Sequence, residues 1–241
     1  MPAETRPARP GSPARRKPAA RRRPGIPRAP RGAQQRALKT VRRLAEIYPA
    51  ACELDHRNAF QLTIATILSA QTTDRTVNLV TPKLFERYPD AASLAGADPL
   101  EVEELIKPTG FFHNKTRSIL ACANALVDRF HGEVPPRMDD LVTLPGIGRK
   151  TANVILGVAF QIPGFAVDTH VTRLTGRLKL TSSTDPVKIE AQVTRMVPPP
   201  EWTGLSLRLI LHGRRVCDAK RPLCEECVLN DFCPSSTVKP A

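Results

Sequence analysis

From residue 34 onward the chain reads as helix after helix, and this limits its fold more than any other feature. Residues 34–48 (QQRALKTVRRLAEIY) set Leu38, Val41, Leu44 and Ile47 at three-residue steps, predicting a helix with those four side chains inward. Residues 58–69 predict a more apolar helix with Phe60, Ile64, Ile67 and Leu68 inward. Residues 73–87 predict a third, capped by Thr73 or Asp74, in which Pro82 demands a kink or a fresh helix capped by Thr81. Residues 114–130 put Ile119, Cys122, Leu126 and Phe130 on one stripe, so Cys122 reads as core. GEVPP at 132–136 breaks the pattern. A short helix over 138–143 precedes LPGIG, and a longer one covers 148–160. Asp168 opens the next, with Val171, Leu174 and Leu178 on one face. Asp185-Pro186 starts a helix over 186–197 that Pro198–Pro200 stop, and a last helix over 203–212 leads into a run of cysteines. No stretch reads as a strand and no segment repeats. The expected fold class is all-α.

The 241 residues suit one large domain or two small ones. Lys and Arg number 36 against 23 Asp and Glu, a formal net charge of +13. Ten of those cations and a single acid fall in residues 1–33, so the body is mildly basic and the tail strongly so. A basic balance favours a polyanionic partner, nucleic acid before membrane. No apolar run reaches the ~18 residues a membrane span needs, and the N-terminus lacks the apolar region of a secretory signal. Residues 1–33 are Arg-rich and acid-poor, as mitochondrial transit peptides are. Their eight prolines and one serine forbid the amphipathic helix such a peptide requires. They read as a disordered basic tail, serving either as a salt-sensitive hold on phosphate or as a solvated appendage.

Two constellations carry candidate chemistry. The first is Leu144-Pro145-Gly146-Ile147-Gly148-Arg149-Lys150, between two helices. Gly146 and Gly148 open backbone conformations closed to other residues and leave amides uncovered at the start of the second helix. Such amides, with the helix dipole, bind phosphate without reading sequence; a tight turn needing glycine is the plainer reading. Lys150 is either one more phosphate contact or a nucleophilic amine. With a pKa near ~10.4, only about 1 in 2,500 free lysines is neutral at pH 7. The helix N-terminus disfavours the cation by only ~0.3–1 kcal/mol, so a nucleophile here needs burial under an extruded nucleotide or a general base. The second constellation is Ala166-Val167-Asp168-Thr169-His170. Asp168 stands where an N-cap belongs, and capping can coexist with catalysis. A nearby carboxylate raises a lysine's pKa, so Asp168 fits better as a group that also steadies positive charge on a sugar as its base departs. His170, one helical histidine without a visible partner, reads as structural.

Cys217, Cys224, Cys227 and Cys233, spaced C-x6-C-x2-C-x5-C, form the most specific pattern. Four thiolates within 17 residues can close around one centre. Zinc ribbons usually offer two C-x2-C pairs, and here there is one with no paired histidines, so a four-thiolate iron–sulfur cluster fits better than zinc, and disulfides fit least. Clustered thiolates also imply a reducing interior. Lys220 and Arg221 lie in the first loop between these cysteines, as phosphate contacts or as idle charges.

LPGIGRKTAN, VDTH, LHGRRVC and the 6-2-5 cysteine spacing, in that order, resemble endonuclease III over residues 34–235, and SAQTTD at 69–74 and TGFFHNK at 109–115 match family segments too. The turn at 144–150 then resembles a helix–hairpin–helix DNA-binding motif. The resemblance implies two helical domains, a six-helix one over 52–163 and one joining 34–51 to 164–241 around a 4Fe-4S cluster, with DNA in the cleft between. It implies Lys150 and Asp168 as the catalytic pair. It implies Gln71 as the residue filling the hole left by an extruded nucleotide, and Phe111 as a wedge on the opposite strand, where some relatives carry an aliphatic residue. It implies DNA contacts from Gly146, Gly148, Arg149, Lys220 and Arg221. The expected activity is a DNA glycosylase and AP lyase acting on double-stranded DNA with oxidised pyrimidines or abasic sites, as a monomer in a bacterial cytoplasm. A mismatch-specific adenine glycosylase and a non-catalytic helix–hairpin–helix protein are the alternatives. The former typically lacks the catalytic lysine and carries a further C-terminal domain.

Overall fold

The structure, a computed structural model, describes residues 27–238. Among them there is no strand. Eleven α-helices follow one another: α1 Ala33–Ala45, α2 Ala59–Leu68, α3 Asp74–Arg87, α4 Ala91–Ala95, α5 Pro99–Ile106, α6 Phe112–Phe130, α7 Met138–Leu141, α8 Arg149–Ala159, α9 Thr169–Arg177, α10 Pro186–Thr194 and α11 Trp202–Arg215. Single turns of 3-10 helix at Lys107–Thr109 and Pro199–Glu201 lead into α6 and α11.

The helices bury their apolar faces in two separate cores. One gathers side chains from Cys52 to Phe160, around Ile64, Leu68, Leu84, Ile119, Cys122 and Leu126. The other takes α1 together with Phe165 onward, around Leu44, Phe165, Leu174, Leu205 and Leu209. Seven helices, counting the single turns α4 and α7, lie between residues 52 and 163. Helix α8 packs on α2 within the first core and on α11 of the second, so it is where the two halves meet.

Local chemistry sets most boundaries. Asn58, Thr73, Asp90, Asp98, Asp168 and Asp185 each accept a first-turn amide at the head of a helix. Pro99 and Pro186 occupy the first helical position. The expected fresh helix at Pro82 does not form. Pro82 sits on the exposed side inside an uninterrupted α3, where water can serve the carbonyl that loses its partner. Helix α10 ends at Thr194, not 197, although the Val197 amide still donates to the Val193 carbonyl at 3.2 Å; Met196 and Val197 are buried beyond its end, ahead of Pro198. In α1 the buried positions are Ala33, Ala37, Thr40, Val41 and Leu44, while Leu38 and Ile47 are exposed. Three-residue steps drift off a 3.6-residue face, and Ile47 lies past the helix end. Of the expected tail, residues 1–26 lie outside the described residues. Residues 27–33 are held: Gln192 donates to the Pro27 carbonyl at 2.7 Å, Ala29 packs on the second core and Ala33 is buried.

Candidate active site

Leu141, Leu144 and Ile147 anchor the turn before α8 in the first core. Gly146 has a φ of 78°, and a Cβ there would meet three atoms of Ile67 at 3.4 Å, so both backbone and packing call for glycine. Gly148 differs from expectation. Its φ of −91° and ψ of 175° suit any residue, and a Cβ would meet nothing within 4 Å. What Gly148 provides is an open approach to the backbone. No side chain caps α8, so its first amides stay free for an anion. Arg149 is less free: its guanidinium grips Glu190 of α10 through two bonds of 2.7 Å, and that pairing holds its pKa above the usual value.

Lys150, exposed in the first turn of α8, and Asp168, half-buried at the head of α9, line one cavity between the two cores, together with Glu53, Asp74, Val154 and Arg214. Two buried hydrogen bonds fix the link from α8 to α9. Asn153, one turn beyond Lys150, donates to the Phe165 carbonyl at 3.3 Å, and Ser206 of α11 donates to the Ala166 carbonyl at 2.6 Å. Gly164 permits the close approach, since a Cβ there would lie 2.6 Å from the Asn153 carbonyl. Asp168 Oδ1 accepts the Val171 amide at 2.8 Å. Among the described residues no hydrogen bond engages its Oδ2 and no ion pair joins it to Lys150. One oxygen therefore caps the helix while the other is uncommitted.

Arg214 of α11, inside the LHGRRVC segment but unmarked by the sequence reading, crosses the cavity wall to Glu53 at 2.5 Å and Asp74 at 2.8 Å. The cavity measures about 70 Å³ and opens to solvent. A larger depression of about 580 Å³, lined by Asp55, His56, Gln61, Phe85 and Glu86, shares no residue with it and offers no paired amine and carboxylate. His170 is structural: its ring contacts Arg173 at 3.0 Å and leaves no space for a Cβ on Gly213.

Gln71 and Phe111 are both exposed, Phe111 at 65%, and both hold left-handed backbone, with φ of 55° and 47°, as His131, Gln161 and Lys179 also do.

The four cysteines of 217–233 are unpaired. Burial, with the other three thiols adding to it, pushes Cys227 up to about 11. Arg177 donates to Cys217 Sγ at 3.2 Å. His212, its pKa depressed by burial to about 4, sets Nε2 3.3 Å from Cys227 Sγ and Nδ1 3.2 Å from the Tyr48 hydroxyl. Four soft donors served by N–H groups suit an iron–sulfur cluster. Among the described residues no group of three or more Cys, His, Asp or Glu converges on one ion; in a four-iron cluster each thiolate instead holds an iron of its own. Lys220 and Arg221 are exposed, on a loop shaped by Asp218 accepting both of their amides.

Comparison with known proteins points to one family. Residues 64–199 match the family model of the HhH-GPD superfamily base excision DNA repair protein, and residues 217–233 match the iron-sulfur binding domain of endonuclease III. Endonuclease III of Synechocystis is 53% identical over 84% of this chain and 94% of its own length. A non-covalent endonuclease III–DNA complex superposes with a TM-score of 0.78 at 40% identity, over 84% of this chain and 96% of that one. A trapped covalent endonuclease III–DNA intermediate gives the same values. The chain belongs to the endonuclease III family, within the HhH-GPD superfamily of base excision DNA repair proteins.

Proposed function

We propose that this base excision DNA glycosylase and AP lyase uses Lys150 as its nucleophile, with Asp168 as the carboxylate that steadies the sugar. The observation that carries the reading is the shared cavity between the cores, lined by both Lys150 and Asp168. The Lys150 amine, once neutral, attacks C1′ of an everted nucleotide. The glycosidic bond breaks, and its electrons and a proton leave with the base. The ring opens to a Schiff base, C2′ loses a proton, and the 3′ phosphate departs, nicking the strand; water then frees the lysine. Asp168 Oδ2 faces the positive charge that grows on the sugar. Its hydrogen bond to Val171 holds it in place through these steps.

The partner is double-stranded DNA, as in the complex that superposes on this chain. Oxidised pyrimidines and abasic sites are the substrates, since damage lowers the few kcal/mol that eversion costs. The free amides that follow Gly148 at the head of α8 hold phosphate, helped by Lys220 and Arg221. Arg149 joins them only after leaving Glu190. Gln71 and Phe111 enter the duplex. The chain's 4Fe-4S cluster is held by Cys217, Cys224, Cys227 and Cys233 and supplies a rigid base for the Lys220 loop. The two cores support two domains, 52–163 and 34–51 with 164–241. No helix among the described residues is long and apolar enough to cross a membrane. The reading is completed by a monomer working on nucleoid DNA in the cytoplasm of a bacterium.

Borohydride trapping tests the assignment. Wild type incubated with a thymine glycol or abasic duplex becomes covalently attached, and Lys150→Ala does not. Trapping of Lys150→Ala moves the nucleophile elsewhere; no trapping of wild type favours a binding module.

A further inference from the structure

Lys115 lies in the first turn of α6 and is only 5% exposed. Its ammonium donates to Thr72 Oγ1 at 2.5 Å and to the Thr109 carbonyl at 2.8 Å. Thr72 Oγ1 in turn donates to the same Thr109 carbonyl, closing a triangle. No carboxylate pairs with the lysine among the described residues, and burial lowers its pKa. A cation so placed is unfavourable for folding unless something needs it, because an apolar side chain of similar volume would pack at less expense.

The two loops it joins are far apart in sequence. Thr72 follows Gln71, and Thr109 precedes Phe111 by two residues. Both of those residues hold strained left-handed backbone, and such strain persists only where surrounding structure over-determines it. The Lys115 backbone amide also donates to the Phe111 carbonyl at 3.1 Å. A single residue therefore touches the Gln71 loop with its side chain and the Phe111 loop with both side chain and backbone.

We propose that Lys115 is a positioning residue that locks the Gln71 and Phe111 loops at a fixed spacing, so that both enter the duplex together and the nucleotide between the strands is everted. This rests on the reading that Gln71 and Phe111 penetrate DNA. Lys115 touches no reacting atom, and its loss weakens eversion while leaving the sugar chemistry intact.

The test uses the full chain with its cluster. Lys115→Met removes the donors but keeps the apolar stem; Thr72→Val removes the shared oxygen without changing shape. Three quantities are measured: single-turnover excision of thymine glycol from a duplex, borohydride trapping on an abasic site in single-stranded DNA, and fluorescence of 2-aminopurine opposite the duplex lesion. Each variant is expected to slow duplex excision about tenfold or more, the scale of a lost hydrogen bond from a charged donor, and to lose the fluorescence rise. Single-stranded trapping stays within about twofold of wild type. The double variant is no worse than either single, since both break one triangle. Equal losses on duplex and single strand, or no loss on duplex, overturn the proposal. Gln71→Ala and Phe111→Ala tell the two readings apart. If they leave fluorescence and duplex excision unchanged, the penetrating role itself is wrong. If they abolish both while Lys115→Met does not, only the locking role is wrong.

Discussion

Substituting the two hairpin glycines separates folding from DNA binding. At Gly146, alanine must hold a φ of 78°, in the left-handed region, with its Cβ 3.4 Å from buried Ile67. The backbone alone costs roughly 1–2 kcal/mol, and the tight contact adds to it, so Gly146→Ala should lower the thermal midpoint by roughly 2–8 °C for a chain of this size. At Gly148 the backbone is already extended and a Cβ meets open space. Alanine caps a helix less well than glycine, by roughly 0.5–1 kcal/mol, but loses less entropy on folding, by roughly 0.4–1 kcal/mol, so the two largely offset. In the proposed role of the hairpin, that methyl stands where a phosphate approaches the amides at the head of α8. Losing one such bond costs about 1.5–3 kcal/mol, so Gly148→Ala should bind a duplex carrying a tetrahydrofuran abasic analogue roughly 10–100-fold more weakly. Calorimetry reads the first quantity and fluorescence anisotropy the second. Gly148→Ala that binds like wild type, or that unfolds as early as Gly146→Ala, would refute the reasoning.

Asp168→Asn keeps an oxygen for the Val171 amide but no charge, so stability should hold within about 1 kcal/mol while the excision rate falls roughly 100-fold or more; a rate near wild type excludes the charge-steadying role. Arg149→Ala should change the slope of log K against log salt little in wild type, because Glu190 holds the guanidinium. In a Glu190→Ala background the same change should lower the slope by about 0.9, and equal slopes in both would show that the pair does not occupy Arg149. Cys122, fully buried and pushed up to about 12, should resist thiol reagents at pH 8 in native protein and react only after unfolding. Above about pH 9 the unfolded chain releases a proton that the native thiol keeps, so this group lowers stability as pH climbs toward 12; rapid native labelling would contradict its place in the core.

Much of this was legible in sequence because it is local. Periodicity and caps placed most helices, and Asp168 declared its capping role through its position before Val171. Helices α4 and α5 were missed, being five and eight residues long in a stretch too short to show a stripe, although Asp98-Pro99 carries the same start signal as Asp185-Pro186. The remaining features are long-range pairings. Arg149 meets Glu190 41 residues away, Lys115 meets Thr72 43 away and Arg214 meets Glu53 161 away. No spacing rule connects such residues; only tertiary packing does, of α8 beside α10, of the α2–α3 loop beside α6 and of α11 beside the segment before α2. Left-handed backbone at Gln71 and Phe111 is equally silent in sequence, because neither residue type favours it.

The chemistry turns on which atom bonds to the sugar. Wild-type protein trapped by borohydride on an abasic duplex, digested and sequenced by tandem mass spectrometry, should carry the sugar remnant on Lys150 and on no other lysine. A remnant on Lys115, Lys220 or any other amine would contradict the account at its centre.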